Sequence, residues 1–161
     1  MNIDLGPKAV LRLDLREELP FPDGSVAIIY SEHFFEHLEY PREVKHLLGE
    51  SMRVLKPGGL FGMGVPDTAF ALEAYVHGHE EFFRISRERG WHPAWCRTRM
   101  HQINYHFRQD GEHKWQYDLE TLTQVLTDAG FVDVARRPFD ASLDSEYRRW
   151  GTLYVDARKP G

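Results

Sequence analysis

One cysteine, Cys96, stands among 161 residues. An internal disulfide framework is thereby excluded, and the cytoplasm is the expected compartment. No partner is set by spacing around it, so Cys96 reads as a buried structural thiol, not a nucleophile. Basic excess is lacking as well: 20 Lys and Arg face 25 Asp and Glu, for a formal charge of −5. No general positive field is left to attract nucleic acid or an anionic membrane, and neither partner is expected. Arg84, Arg87 and Arg89 are the best local basic cluster and read as a solvated helix face. No apolar run reaches the ~18 residues of a membrane span. The opening MNIDLGPK has neither the basic start nor the apolar core of a signal peptide.

Hydrophobic residues nonetheless make up 42% of the chain, enough for one sizeable core. A single domain over 1–161 is the expectation. Ala9–Leu13 is a short aliphatic stretch ending at Asp14, which suits a buried strand with an acid at its carboxyl end. Pro20, Pro22, Asp23 and Gly24 form a turn. Ser25–Tyr30 is then continuously apolar and β-branched, the pattern of a strand covered on both faces in a parallel sheet.

Pro41 can open a helix, because its missing N–H is not needed there. Val44, Leu47, Leu48, Ser51 and Leu55 fall on one helical face. Lys56 is expected in the last turn, and Pro57-Gly58-Gly59 as the stop before a strand over Leu60–Val65. Thr68–Val76 and His79–Arg89 read as two helical pieces. Residues 91–117 look irregular and are rich in His, Arg and aromatics, which suggests an insertion or lid. Asp118 caps a helix ended by Gly130, and Phe131–Val134 and Thr152–Ala157 read as strands, with a polar loop over Pro138–Trp150. The order predicts an α/β fold, a mostly parallel sheet flanked by helices.

In such sheets ligands bind beyond the carboxyl ends of the strands. Asp4, Asp14 with Leu15, and Ser31-Glu32-His33 all sit at expected strand ends. A carboxylate there can accept both hydroxyl protons of a ribose. An Asp beside a leucine can take an adenine amine while the leucine covers the ring. Each residue alone reads more simply as a turn acid or a helix cap.

The order Asn2-Ile3-Asp4, Asp14-Leu15, LPFPDGS, Glu36-His37, RVLKPGG (Arg53–Gly59) and Val65-Pro66-Asp67 resembles the class I S-adenosylmethionine-dependent methyltransferases of the type 11 group. The stretch Glu112–Phe131 and the closing Ala157-Arg158-Lys159-Pro160 are similar to that group's carboxyl half. The resemblance implies a Rossmann-like sheet with an antiparallel last strand, and S-adenosylmethionine as cofactor. Asp4 would bind the ribose hydroxyls, Asp14 and Leu15 the adenine, and Ser31, Glu32 and His33 would line the floor near the methionine moiety or the substrate. RVLKPGG would be structural. The group's first strand and glycine-rich loop have no counterpart before Asn2, and the lone Gly6 is followed by Pro7. The chain is therefore expected to be N-terminally truncated relative to that pattern. A gap or rearranged pairing in the sheet follows, and with it homodimerisation or strand exchange.

Methyl transfer from a sulfonium needs a base only for a hydroxyl or protonated amine acceptor. His33 and His37 are the candidate bases by location. His101, His106 and His113 lie in the aromatic-rich insertion, where Trp91, Trp95, Tyr105 and Trp115 could wall an acceptor or simply pack a lid. A small molecule or saccharide is the expected acceptor. Two rival readings stay open. One is a methyltransferase-like binding module that is incomplete or inactive. The other, more remote, is a zinc metallohydrolase, because His33-Phe34-Phe35-Glu36-His37 fits H-x-x-E-H. That run follows a strand and precedes Pro41 instead of lying inside a long helix, so no metal ligand is assigned.

Overall fold

Helix α1 (Arg42–Val54) buries Val44, Leu47, Leu48, Ser51 and Val54 along one face. That is the stripe its 3.6-residue period requires. It packs into the main core with Phe35, Phe61, Met63, Tyr117, Leu122, Leu126 and Phe131. Burial of each such side chain contributes about 1.5–3 kcal/mol. The structure, a computed structural model, describes residues 3–4 and 10–161, and of Asp4 only the backbone.

Around this core lie strands β1 (Ile3–Asp4), β2 (Leu11–Arg12), β3 (Val26–Glu32), β4 (Leu55–Pro66), β5 (Val132–Arg136) and β6 (Thr152–Arg158). Helices α2 (Thr68–His77), α3 (Glu80–Glu88), α4 (Arg99–Arg108) and α5 (Leu119–Asp128) accompany α1. The larger sheet has the order β3-β4-β6-β5. β3 and β4 are parallel, and β6 runs against both β4 and β5. The α/β class with an antiparallel last strand is thus as expected. β1 and β2 form a separate parallel pair, so the described strands make two sheets instead of one.

Three local expectations are corrected. α1 ends at Val54, and Leu55 already has extended φ and ψ, so Lys56 lies outside the helix. The RVLKPGG turn belongs to the irregular start of β4, where the register with β3 shifts between Val26 and Ile28. The closing residues take up its backbone: Gly58 N donates to Lys159 O (3.1 Å) and Lys159 N to Gly59 O (3.0 Å). A Cβ on Gly59 would lie 2.8 Å from Lys56 O and 3.2 Å from Ala27 O, both main-chain atoms. The motif therefore needs glycine for a close backbone approach. Second, β3 continues two residues past Tyr30, so Ser31 and Glu32 belong to the strand. Third, residues 91–117 contain α4, capped by the Thr98 hydroxyl on His101 N. Its packing residues Ile103 and Phe107 join Phe70, Phe82 and Phe83 in a satellite core.

Candidate active site

The carboxyl end of β3 divides two concavities. On one side, between β1 and β3, runs an apolar groove of about 360 Å3. Ile3, Leu15, Ile28, Ile29, Ser31 and Phe34 are among its lining residues. The Ser31 hydroxyl oxygen is buried without a hydrogen-bond partner. Such an orphaned group in an apolar wall suits a ligand that brings one polar contact and otherwise apolar surface. On the other side, a cavity of about 340 Å3 is lined by His33, His92, His106, His113, Trp91, Tyr105 and Arg148 among others.

His33 turns the chain between the two, with φ of 50°, a region that non-glycine residues seldom adopt. Its main-chain N donates to Gly64 O (2.7 Å), and its Nε2 lies 2.8 Å from the Thr152 hydroxyl. Burial, then the nearby Arg148 cation, pulls the His33 imidazole down to about 3. Burial likewise pulls His92 and His106 down to about 4, so the cavity presents neutral imidazoles near neutral pH.

Among the predicted cofactor residues, Leu15 and Ser31 meet in the groove. Asp4's side chain lies outside the described residues. Asp14 is already taken: Arg16 donates to both of its oxygens at 2.6–3.1 Å and holds the carboxyl down at about 2. Glu32 is also committed. Its Oε1 accepts from Ser145 N (3.0 Å), and its carbonyl accepts from Arg148 (2.9 Å). Both bonds anchor the irregular segment that precedes β6.

Of the two candidate bases, His33 faces the cavity, while His37 sits on the short 3-10 turn Phe35–His37 against the His113 ring, 5.1 Å between centroids. Glu36, marked in the sequence only as the glutamate of the H-x-x-E-H run and assigned no role, is the unusual residue here. It is 1% exposed, neither carboxylate oxygen has a hydrogen-bond partner, and burial pushes it up to about 7. From the aromatic segment, Trp91 and Tyr105 do line the cavity. Trp115 instead stacks on Tyr40, and Trp95 is exposed. The suspected basic cluster is largely engaged: Arg84 pairs with Glu81 and Glu88, and Arg89 lies over Trp91 and donates to Tyr147 O.

Residues 4–63, the stretch from the end of β1 into β4 that builds the groove, match the family model described as a methyltransferase domain. The chain has the class I methyltransferase fold. Among similar solved structures is a SAM-dependent methyltransferase from Archaeoglobus fulgidus, with a TM-score of 0.60 at 18% identity, covering 98% of this chain and 74% of that one. A SAM-dependent methyltransferase from Methanosarcina mazei gives 0.57 at 17% identity, covering 98% and 80%. The phosphoethanolamine N-methyltransferase 2 of Haemonchus contortus, in complex with S-adenosyl-L-methionine, gives 0.53 at 13% identity, covering 92% of this chain and 36% of that one. The groove runs along the length of β3, from Val26 to Ser31, and reaches the carboxyl end of the strand at Ser31, where ligands bind in open α/β sheets.

Proposed function

We propose that this protein is an S-adenosylmethionine-dependent methyltransferase of the cytoplasm, acting on a small-molecule or saccharide acceptor. One observation carries the reading. The segment that matches a methyltransferase domain is the segment that forms an apolar groove with a buried, unpartnered serine hydroxyl. In this reading Leu15 and Ile29 cover the adenine ring, and Ser31 supplies a polar contact at the carboxyl end of β3. The cofactor supplies a methyl group already activated by its sulfonium. The protein's part is to orient and to exclude water. His33, a neutral imidazole near neutral pH, is poorly matched to accept a proton there and serves better as a hydrogen-bonding wall of the acceptor cavity. The neutral histidines, Trp91, Tyr105 and Arg148 favour a polar acceptor with some flat apolar surface.

Isothermal calorimetry with S-adenosylhomocysteine tests the reading. Binding that is weakened in Leu15→Asp, with the fold retained by circular dichroism, is expected. No detectable heat at high-micromolar ligand would remove it. A second reading is favoured by Asp14, whose carboxylate is already neutralised by Arg16. It is a methyltransferase-like binding module. Calorimetric binding with no methyl transfer to any of a panel of hydroxyl and amine acceptors would select that reading over the enzyme.

A further inference from the structure

We propose that Glu36, His37 and His113 form a divalent transition-metal site. Their potential ligand atoms all lie within 4.8 Å of one another. Glu36 and His37 are adjacent on the 3-10 turn, and main-chain bonds bring in the third member. Lys114 N and Trp115 N both donate to Glu36 O, at 2.7 and 3.2 Å, which places His113 beside the turn.

Proton bookkeeping carries the argument. His37 Nδ1 lies 3.2 Å from Glu112 O, and His113 Nδ1 lies 2.6 Å from His106 O. A carbonyl only accepts, and Gln116 Nε2, 3.1 Å from His113 Nδ1, has its two hydrogens on His106 O and Phe107 O, so both Nδ1 atoms carry the hydrogen and both Nε2 atoms present lone pairs. The Thr152 hydroxyl donates to Arg148 O at 2.5 Å. It must therefore accept from His33 Nε2, which leaves the lone pair of His33 on Nδ1. That atom is 3.5 Å from Glu36 Oε1, and His37 Nε2 is 3.9 Å from the same oxygen. Three imidazole lone pairs and a buried carboxylate thus share one neighbourhood, and both Glu36 oxygens go without a hydrogen-bond donor.

A cation resolves this conflict. The separations decide between a proton and a metal. An O–H···N bond would draw its heavy atoms to roughly 2.6–2.8 Å. Two donors about 2.1 Å from one tetrahedral ion stand about 3.4 Å apart. Between the proposed ligands themselves, His37 Nε2 and Glu36 Oε1 are 3.9 Å apart and all three ligand atoms lie within 4.8 Å of one another, nearer the second case than the first. Two imidazoles and one carboxylate select a borderline ion of the zinc, cobalt or iron(II) type over magnesium or calcium, which take oxygen donors. The carbonyl bonds on both Nδ1 atoms are the outer contacts that fix ring orientation in such sites. His33 and His113 also line the 340 Å3 cavity, which gives an ion an entry path. The site stands apart from the cofactor reading.

The test uses the full chain, stripped with a chelator and titrated with Co2+. One equivalent is expected, with visible d–d absorption that Zn2+ abolishes. Glu36→Gln and His113→Gln should each weaken binding at least about tenfold. His79→Gln, which removes half of the exposed His77–His79 pair, should leave it unchanged. Absence of d–d absorption in the folded wild type would overturn the proposal, as would loss of binding in His79→Gln alone. Should either site variant fail to fold, imidazole 15N shifts of the wild type with Zn2+ decide. Shifts at His37 and His113 support the site, and shifts confined to other histidines refute it.

Discussion

Asp144 holds the irregular segment before β6 onto the sheet. Its side chain is fully buried, and it accepts from Tyr30 OH (2.5 Å), from two nitrogens of Arg137 (both 2.6 Å) and from Asp140 N (2.7 Å). Arg137 keeps a second partner in Asp156 (3.0 Å), but its guanidinium is itself mostly buried. Removing one member of a buried ion pair leaves the other charge uncompensated. Asp144→Ala should therefore cost about 3 kcal/mol in urea unfolding. Asp144→Asn, which keeps the volume and part of the hydrogen bonding, should cost less. Equal costs for the two would mean that packing, not the ion pair, is what Asp144 supplies. Little at this scale was legible in the sequence. Nothing local to DASLDSEYRRW says that its acid meets Tyr30 and Arg137. His33 and His37 could be picked out because they follow a strand, whereas Glu36 matters through its burial, and His113 reaches it only after α4 has returned the chain. Asp14 shows the converse. Its place at a strand end was visible, but its capture by Arg16 two residues on depends on a side-chain geometry that spacing does not report.

Elements were easier to read, because period and punctuation act locally. The stripe of α1 and the Asp118 cap on α5, whose Oδ1 accepts from Thr121 N at 2.8 Å, both follow from such signals. The end of α1 was misplaced because Leu55 is buried and fits the helical period, yet it faces the same core from β4. α4 is hard to read in the sequence because the apolar positions of RMHQINYHFR, Met100, Ile103 and Phe107, are interleaved with His, Arg, Gln and Asn, and Met100 stays exposed. α1 also carries an electrostatic clamp. Arg53 donates to Leu19 O (2.8 Å), Phe21 O (2.9 Å) and Asp23 (2.8 Å), while Glu50 accepts from Arg53 (2.6 Å) and from Leu19 N (2.8 Å). The Arg53 hydrogen bond, aided by Leu19 N, pulls the Glu50 carboxyl from 4.5 down to about 2. A carboxyl depressed by folding stabilises the native state fully above its unfolded value and loses that contribution as pH falls through its folded value. The melting temperature should thus fall between pH 4.5 and about 2 in part because of Glu50. In Glu50→Gln that limb should be shallower, with a lower melting temperature at neutral pH. A calorimetric pH series with parallel limbs in both proteins would show that the clamp contributes nothing.

For the whole molecule, the resemblance in the sequence foresaw an interrupted sheet but not its form. The described strands divide into β1-β2 and β3-β4-β6-β5, and β3 has no strand partner on its outer edge among the described residues. Ile3 and Ile28 line the same groove there, and Ile28 is 59% exposed in the middle of a strand. An open edge of main-chain donors and acceptors beside apolar side chains is a template for further pairing. The edge segment VAIIYSE carries no charge before Glu32, so nothing repels a second copy laid antiparallel along it. The protein should therefore self-associate through β3. Light scattering is expected to show a mass that rises with concentration from 18.9 kDa toward twice that value. Ile28→Lys, which puts a charge on the edge and needs no change in the core, should hold the protein at the monomer mass. A wild type that stays monomeric at micromolar concentrations would mean that the groove walls shield the edge on their own, and the lysine variant would then leave the mass unchanged.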